Sequence, residues 1–139
     1  MPISVNWQDE SKTILYYEIE SVWSLDEAWE ILNGSVLELI AEVDYVPDTI
    51  MNFTSTQYTP SGLLNFWRHS YQWLQEHRLE TSIVVFVNVP PAMKGIGDTL
   101  RNLRVPIMRY MYFVDSVEAG QKLIAGFRAN SPRKPLDND

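Results

Sequence analysis

Ser61, in the run Thr59-Pro60-Ser61-Gly62-Leu63, is the residue whose type and setting could most directly do chemistry. A hydroxyl in the first turn of a helix could accept a phosphate. The added charge would face free backbone N–H groups and the positive end of the helix dipole. At an exposed site that attraction is worth about 0.3–1 kcal/mol. Gly62, lacking a side chain, would leave the backbone accessible. The same residues also make an ordinary helix start that needs no function. Thr59 fits the N-cap and Pro60 the first helical position, where its missing N–H is harmless. Either way, Ser61 is predicted as the second residue of a helix that runs to about His77.

Two other constellations could bind rather than react. Lys94, Arg101, Arg104 and Arg109 are concentrated in one stretch of an otherwise acidic chain. With Gly95 and Gly97 near an expected helix start after a buried strand, they form a candidate site for an anionic group. The glycine pattern lacks a third glycine and the Walker motif is absent, so a solvated charged face explains the same residues. His69 and His77 are eight residues apart on one predicted helix, whereas metal-ligating pairs on a helix sit three or four apart. No metal site is expected. The order of residues marks neither a catalytic triad nor paired carboxylates, so no catalytic residue and no cofactor are assigned.

Positioning such groups falls to elements that the hydropathy pattern outlines. Ile3, Val5 and Trp7 alternate with Ser4 and Asn6, and "TILYYEIE" follows a short polar link, which predicts an antiparallel hairpin. Ser24 and Glu27 then form a capping-box signature, and apolar residues from Leu25 to Val43 recur at helical spacing. Gly34 lies inside that helix, as a close approach to the sheet or a weak point. A strand is predicted over 49–53. The run Ile83 to Val87 is apolar on both faces, as in the middle of a parallel sheet covered by helices. Met93, Ile96, Leu100 and Leu103 mark a shorter helix, "IMRYMYFV" a last strand, and Val117 to Phe127 a final helix for which Asp115 and Glu118 are a capping pair. The predicted order is β-β-α-β-α-β-α-β-α, an α/β fold with a mixed, mostly parallel five-stranded sheet, a leading β-hairpin and four helices. Residues 1–128 form the single domain and 129–139 a polar, flexible tail.

Helix two carries two stripes. Leu63, Leu64, Trp67, Tyr71 and Leu74 are expected to face the sheet. Phe66 and Trp73 are rotated away from it and form a candidate partner-binding or dimer face.

This element order resembles the STAS domain, and more closely the small bacterial SpoIIAA-like group related to anti-sigma-factor antagonists. The resemblance spans residues 1 to about 128. Its sharpest point is Ser61-Gly62-Leu63, which follows a strand ending in Asn52-Phe53. In the antagonists, the serine of Asp-Ser-Ser-Gly-Leu is phosphorylated by a partner kinase. Here Thr59-Pro60 replaces the Asp-Ser pair. The resemblance implies a non-catalytic regulatory module that docks to a protein partner or to itself, as a homodimer, with Ser61 as phospho-acceptor.

Bulk composition limits the alternatives. The 139 residues carry a formal net charge of −7, which disfavours nucleic acid as a partner. There is no cysteine, so disulfides and thiolate chemistry are excluded. The first residues lack a basic region and an apolar run, no stretch is long enough for a membrane span, and a cytoplasmic location is expected. Five Trp, seven Tyr and five Phe exceed what a minimal core needs. That aromatic excess, with the basic cluster, supports a second expectation: a binder or carrier of a small anionic or lipid-like ligand. A deep pocket lined by Tyr and Trp would favour the ligand, and a flat aromatic patch would favour docking.

Overall fold

The computed structural model describes residues 2–136. Its sheet has five strands in the spatial order β1 (Ile3–Trp7), β2 (Ile14–Glu20), β3 (Asp48–Ser55), β4 (Val84–Val87) and β5 (Met111–Val114). The β1–β2 pair is an antiparallel hairpin and every other pair is parallel. This is the predicted α/β layout.

Sequence order and spatial order coincide, and that determines where the helices lie. Each parallel step is a right-handed crossover in the same direction, so each crossover helix lands on the same face of the sheet. That face receives the first helix, built from α1 (Leu25–Ile31), a π-helical stretch (Leu32–Val36) and α2 (Leu37–Ile40). It also receives α3 (Leu63–Glu76) and α4 (Pro91–Asn102). Their buried residues Ile31, Val36, Leu63, Trp67, Met93 and Leu100 join one cluster with Leu15, Tyr17, Phe53 and Phe86 of the strands. Only α5 (Val117–Asn130), which follows the last strand and makes no crossover, packs on the opposite face. There Ile124 meets Ile50, Val85 and Val87. The apolar run Ile83 to Val87 is thus covered from both sides; Val85 is fully buried.

Several boundaries move for identifiable reasons. Ser24 caps α1 as expected, its Oγ accepting from the Glu27 N–H at 3.1 Å. Gly34 approaches nothing, and instead sits in the π-helical stretch. The last strand begins at Met111, because Pro106–Tyr110 winds into a 3-10 turn first. Ser116, rather than Asp115, caps α5 by accepting from the Ala119 N–H at 3.0 Å. That helix continues two residues past the expected domain end at 128. The segment expected as a flexible tail is tied down through Leu136. The Val46 N–H donates to the Lys134 carbonyl at 2.8 Å, and the Leu136 N–H to the Asp44 carbonyl at 2.9 Å. Residues 137–139 of the expected tail lie outside the described residues.

The anchor for that segment is Asp48, at the start of β3 and fully buried. Arg128 grips it with two bonds, Nη2 to Oδ1 at 2.6 Å and Nε to Oδ2 at 3.0 Å. Arg133 adds an ion pair at 3.1 Å, and the Ile83 N–H donates to Oδ1 at 3.0 Å. A buried carboxylate is tolerable only when paired and hydrogen-bonded in this way.

Candidate functional site

A cavity of about 120 Å³ lies between the sheet and the helices of the crossover face. Its floor is made by alternate residues of the strands, among them Tyr17, Met51, Val84 and Phe86. Period-two alternation sends these side chains to one face. Its roof comes from Ala28, Leu32 and Val36 of the first helix and from Phe66, Trp67 and Tyr71 of α3.

The π-helical stretch forms part of the roof. Its sequence, Leu32-Asn33-Gly34-Ser35-Val36, places three poor helix formers inside an apolar-periodic helix. The wider turn is held by Asn33, whose Nδ2 donates to the Trp29 carbonyl at 3.0 Å. Its Oδ1 accepts from the Trp73 indole N–H at 2.9 Å. One amide therefore ties the irregular turn to α3 across the top of the cavity. π-turns inside helices occur frequently at functional sites.

The lining is apolar and aromatic, with few polar groups left unpaired. The Trp73 and Trp23 indoles donate to Asn33 and to the Tyr58 carbonyl, the latter at 3.3 Å. Ser70 Oγ donates to the Trp67 carbonyl at 2.8 Å, and Ser82 Oγ to the Pro47 carbonyl at 2.7 Å. Tyr17 is different. It is 6% exposed and lines the cavity, and its hydroxyl makes no hydrogen bond among the described residues. Burial alone pushes its pKa well above the usual phenol value, so the group stays a neutral donor. Among the described residues the only ionisable acid or base lining the cavity, apart from tyrosines, is Glu80, whose Oε2 is buried without a partner.

The residues singled out in the sequence fall elsewhere or take other roles. Ser61 is exposed, but it lies in a turn ahead of α3 and not inside the helix. The cap is Gly62, with a left-handed φ of 85°, which suits a residue without Cβ. Thr59 and Pro60 precede that turn in non-helical backbone, and the Thr59 hydroxyl is buried without a partner. The expected helix start fails because Gly62 can reverse the chain where Pro60 would only have begun it.

Phe66 and Trp73 do not form a free face. Trp73 is 7% exposed, and the Phe66 ring packs edge-on to Trp29 with centroids 4.8 Å apart. A helix lying on a sheet was expected to bury one stripe. The first helix lies beside α3 on the same face and buries the second.

Lys94, Arg101, Arg104 and Arg109 are all exposed, and none lines the cavity. Lys94 and Arg101 sit toward opposite ends of α4, about 10 Å apart along its axis. Arg101 is used by the fold, donating to the Met111 carbonyl at 2.9 Å. Gly95 and Gly97 lie within α4, not at its start. A Cβ on Gly97 would stand 2.5 Å from the Phe113 ring, so this glycine serves close packing. His77 packs on the Trp73 ring and His69 is exposed. Among the described residues no three His, Asp or Glu side chains gather as metal ligands, and no helix is long and apolar enough to cross a membrane.

The cavity residues escaped the sequence reading because each one reads as ordinary core. The one local signal was Asn33-Gly34-Ser35, an irregularity in an otherwise regular helix. No protein-family model and no curated protein matches the chain.

Proposed function

We propose that this protein binds a small, largely apolar ligand in the cavity between β2, β3 and the helices α1 and α3. The observation that carries the reading is a cavity of about 120 Å³ with an aromatic lining, roofed by an irregular helical turn. The volume is somewhat below that of the engineered cavity of about 150 Å³ that admits benzene, which suits a ligand built on one six-membered ring. A full-length acyl chain would need far more room, since drug-sized sites run to roughly 300–1,000 Å³. The expected anionic ligand has no counterpart in the lining, because no Lys, Arg or His faces the cavity.

The regulatory module of STAS type is supported by the element order and by the exposed Ser61. Its expected contact face is not available, because Trp73 is buried and Phe66 packs edge-on against Trp29.

Toluene, with seven heavy atoms, is a suitable first probe. At 100 times its Kd it should stabilise the protein by about 2.7 kcal/mol. It should also change the emission of Trp67, which lines the cavity. A melting temperature and emission unmoved by toluene up to its solubility would sink the reading.

A further inference from the structure

We propose that Tyr17 is the polar anchor of the cavity, and that the ligand is an uncharged, ring-sized molecule bearing one oxygen that accepts a hydrogen bond. This rests on the cavity being a ligand site.

Tyr17 occupies the middle of β2, paired with Val5 of β1 and Met51 of β3, so its ring is held by strands on both sides. Around the cavity the Trp23 and Trp73 indoles and the Ser70 and Ser82 hydroxyls all donate to named acceptors, whereas Glu80 Oε2 is buried there without a partner. The Tyr17 hydroxyl has no protein acceptor among the described residues, in a residue that is only 6% exposed and lines the cavity. A phenylalanine would fill the same space without carrying a hydroxyl that lacks a protein partner. Buried tyrosine hydroxyls ordinarily find a partner. A ligand oxygen in the cavity supplies one.

The chemistry of the walls defines the rest of the ligand. A phenol is a good donor and a weak acceptor, so the ligand atom is an acceptor such as a ketone or ether oxygen. A carboxylate would enter an apolar site with a single donor and no cation, beside Glu80. An ammonium would pair with Glu80 and leave the Tyr17 donor without an acceptor, so a ligand that meets Tyr17 is not a cation. The ligand is therefore neutral. The volume of about 120 Å³ holds one six-membered ring and its oxygen.

The test uses the full chain and Tyr17→Phe, titrated by two-dimensional NMR with cyclohexanone, methylcyclohexane and cyclohexylammonium. The ratio of cyclohexanone to methylcyclohexane affinity should fall about 2- to 13-fold in Tyr17→Phe, the equivalent of one net hydrogen bond. Comparing ratios cancels the different water solubilities of the two probes. Methylcyclohexane should bind the variant at least as well as the wild type, and the melting temperature should be unchanged or raised. An unchanged ratio overturns the anchor. A lower melting temperature shows the hydroxyl to be structural and also overturns it. Tighter binding of cyclohexylammonium than of cyclohexanone overturns the neutral ligand. If none of the three probes binds the wild type, the cavity reading fails and takes the anchor with it; if methylcyclohexane binds but the ratio does not respond, only the anchor fails.

Discussion

The two faces of the sheet are packed to different standards. On the α5 face, Ile50, Val85, Val87 and Ile124 are at most 1% exposed. A Cβ on Gly120 would come within 3.0 Å of Val85 Cγ1. One helix meets three strands there, and the Asp48–Arg128 pair locks its C-terminal end. On the other face, three crossover helices share the sheet and leave a cavity of about 120 Å³. A single helix can settle until its small residues touch the strands. Helices lying side by side must also fit one another, and bulky rings such as Trp29, Phe66 and Trp73 hold them apart. The first face behaves as scaffold, and the second can hold a guest.

The sharpest way to break the scaffold is at its anchor. Asp48→Ala leaves Arg128 and Arg133 without their shared carboxylate and should cost about 3–5 kcal/mol, read from the urea midpoint. A loss below about 1 kcal/mol would mean that the ion pair does not hold α5 and the segment after it in place. One substituent can then be set against both faces. Gly120→Leu drives a side chain into Val85 and Ile50 and should destabilise by about 1–3 kcal/mol.

Titration sharpens the contrast on the cavity side. Tyr17 is kept protonated in the native state at a pH where the unfolded chain loses that proton. The unfolded state therefore binds fewer protons, and stability should fall as the pH rises above about 10. The slope reaches about 1.4 kcal/mol per pH unit for this one group. Urea unfolding from pH 9 to 11 should show a shallower decline in Tyr17→Phe than in the wild type. Equal slopes would place the Tyr17 hydroxyl in contact with water.

The smallest expected effect has the opposite sign. Ala28→Leu adds three carbons from the roof into the cavity and should raise stability by about 1 kcal/mol. It should also abolish toluene binding. Destabilisation here, as large as that of Gly120→Leu, would mean that the two faces are equally tight and the comparison is wrong.

The local elements were legible in the sequence because their signals are local. Alternation in Ile3, Val5 and Trp7, the Ser24–Glu27 cap and the unbroken Ile83 to Val87 run each follow from the geometry of a single strand or helix. Ser61 shows where this stops. Its position depended on whether the chain turned into α3 at Pro60 or at Gly62, and the left-handed Gly62 decided it. The candidate site was less legible still, since Tyr17, Met51, Trp67 and Phe86 look like any core residues.

What the sequence determined alone was the order and type of elements. With the right-handedness of crossovers, that order also implies where the first three helices pack. Tertiary structure decided what no window of the chain contains. Phe66 and Trp73 are covered by a helix that comes roughly forty residues earlier, and Asp48 is paired with an arginine eighty residues later. A cavity belongs to no residue at all. It is the space left when separately folded elements meet, and only their mutual fit sets its size.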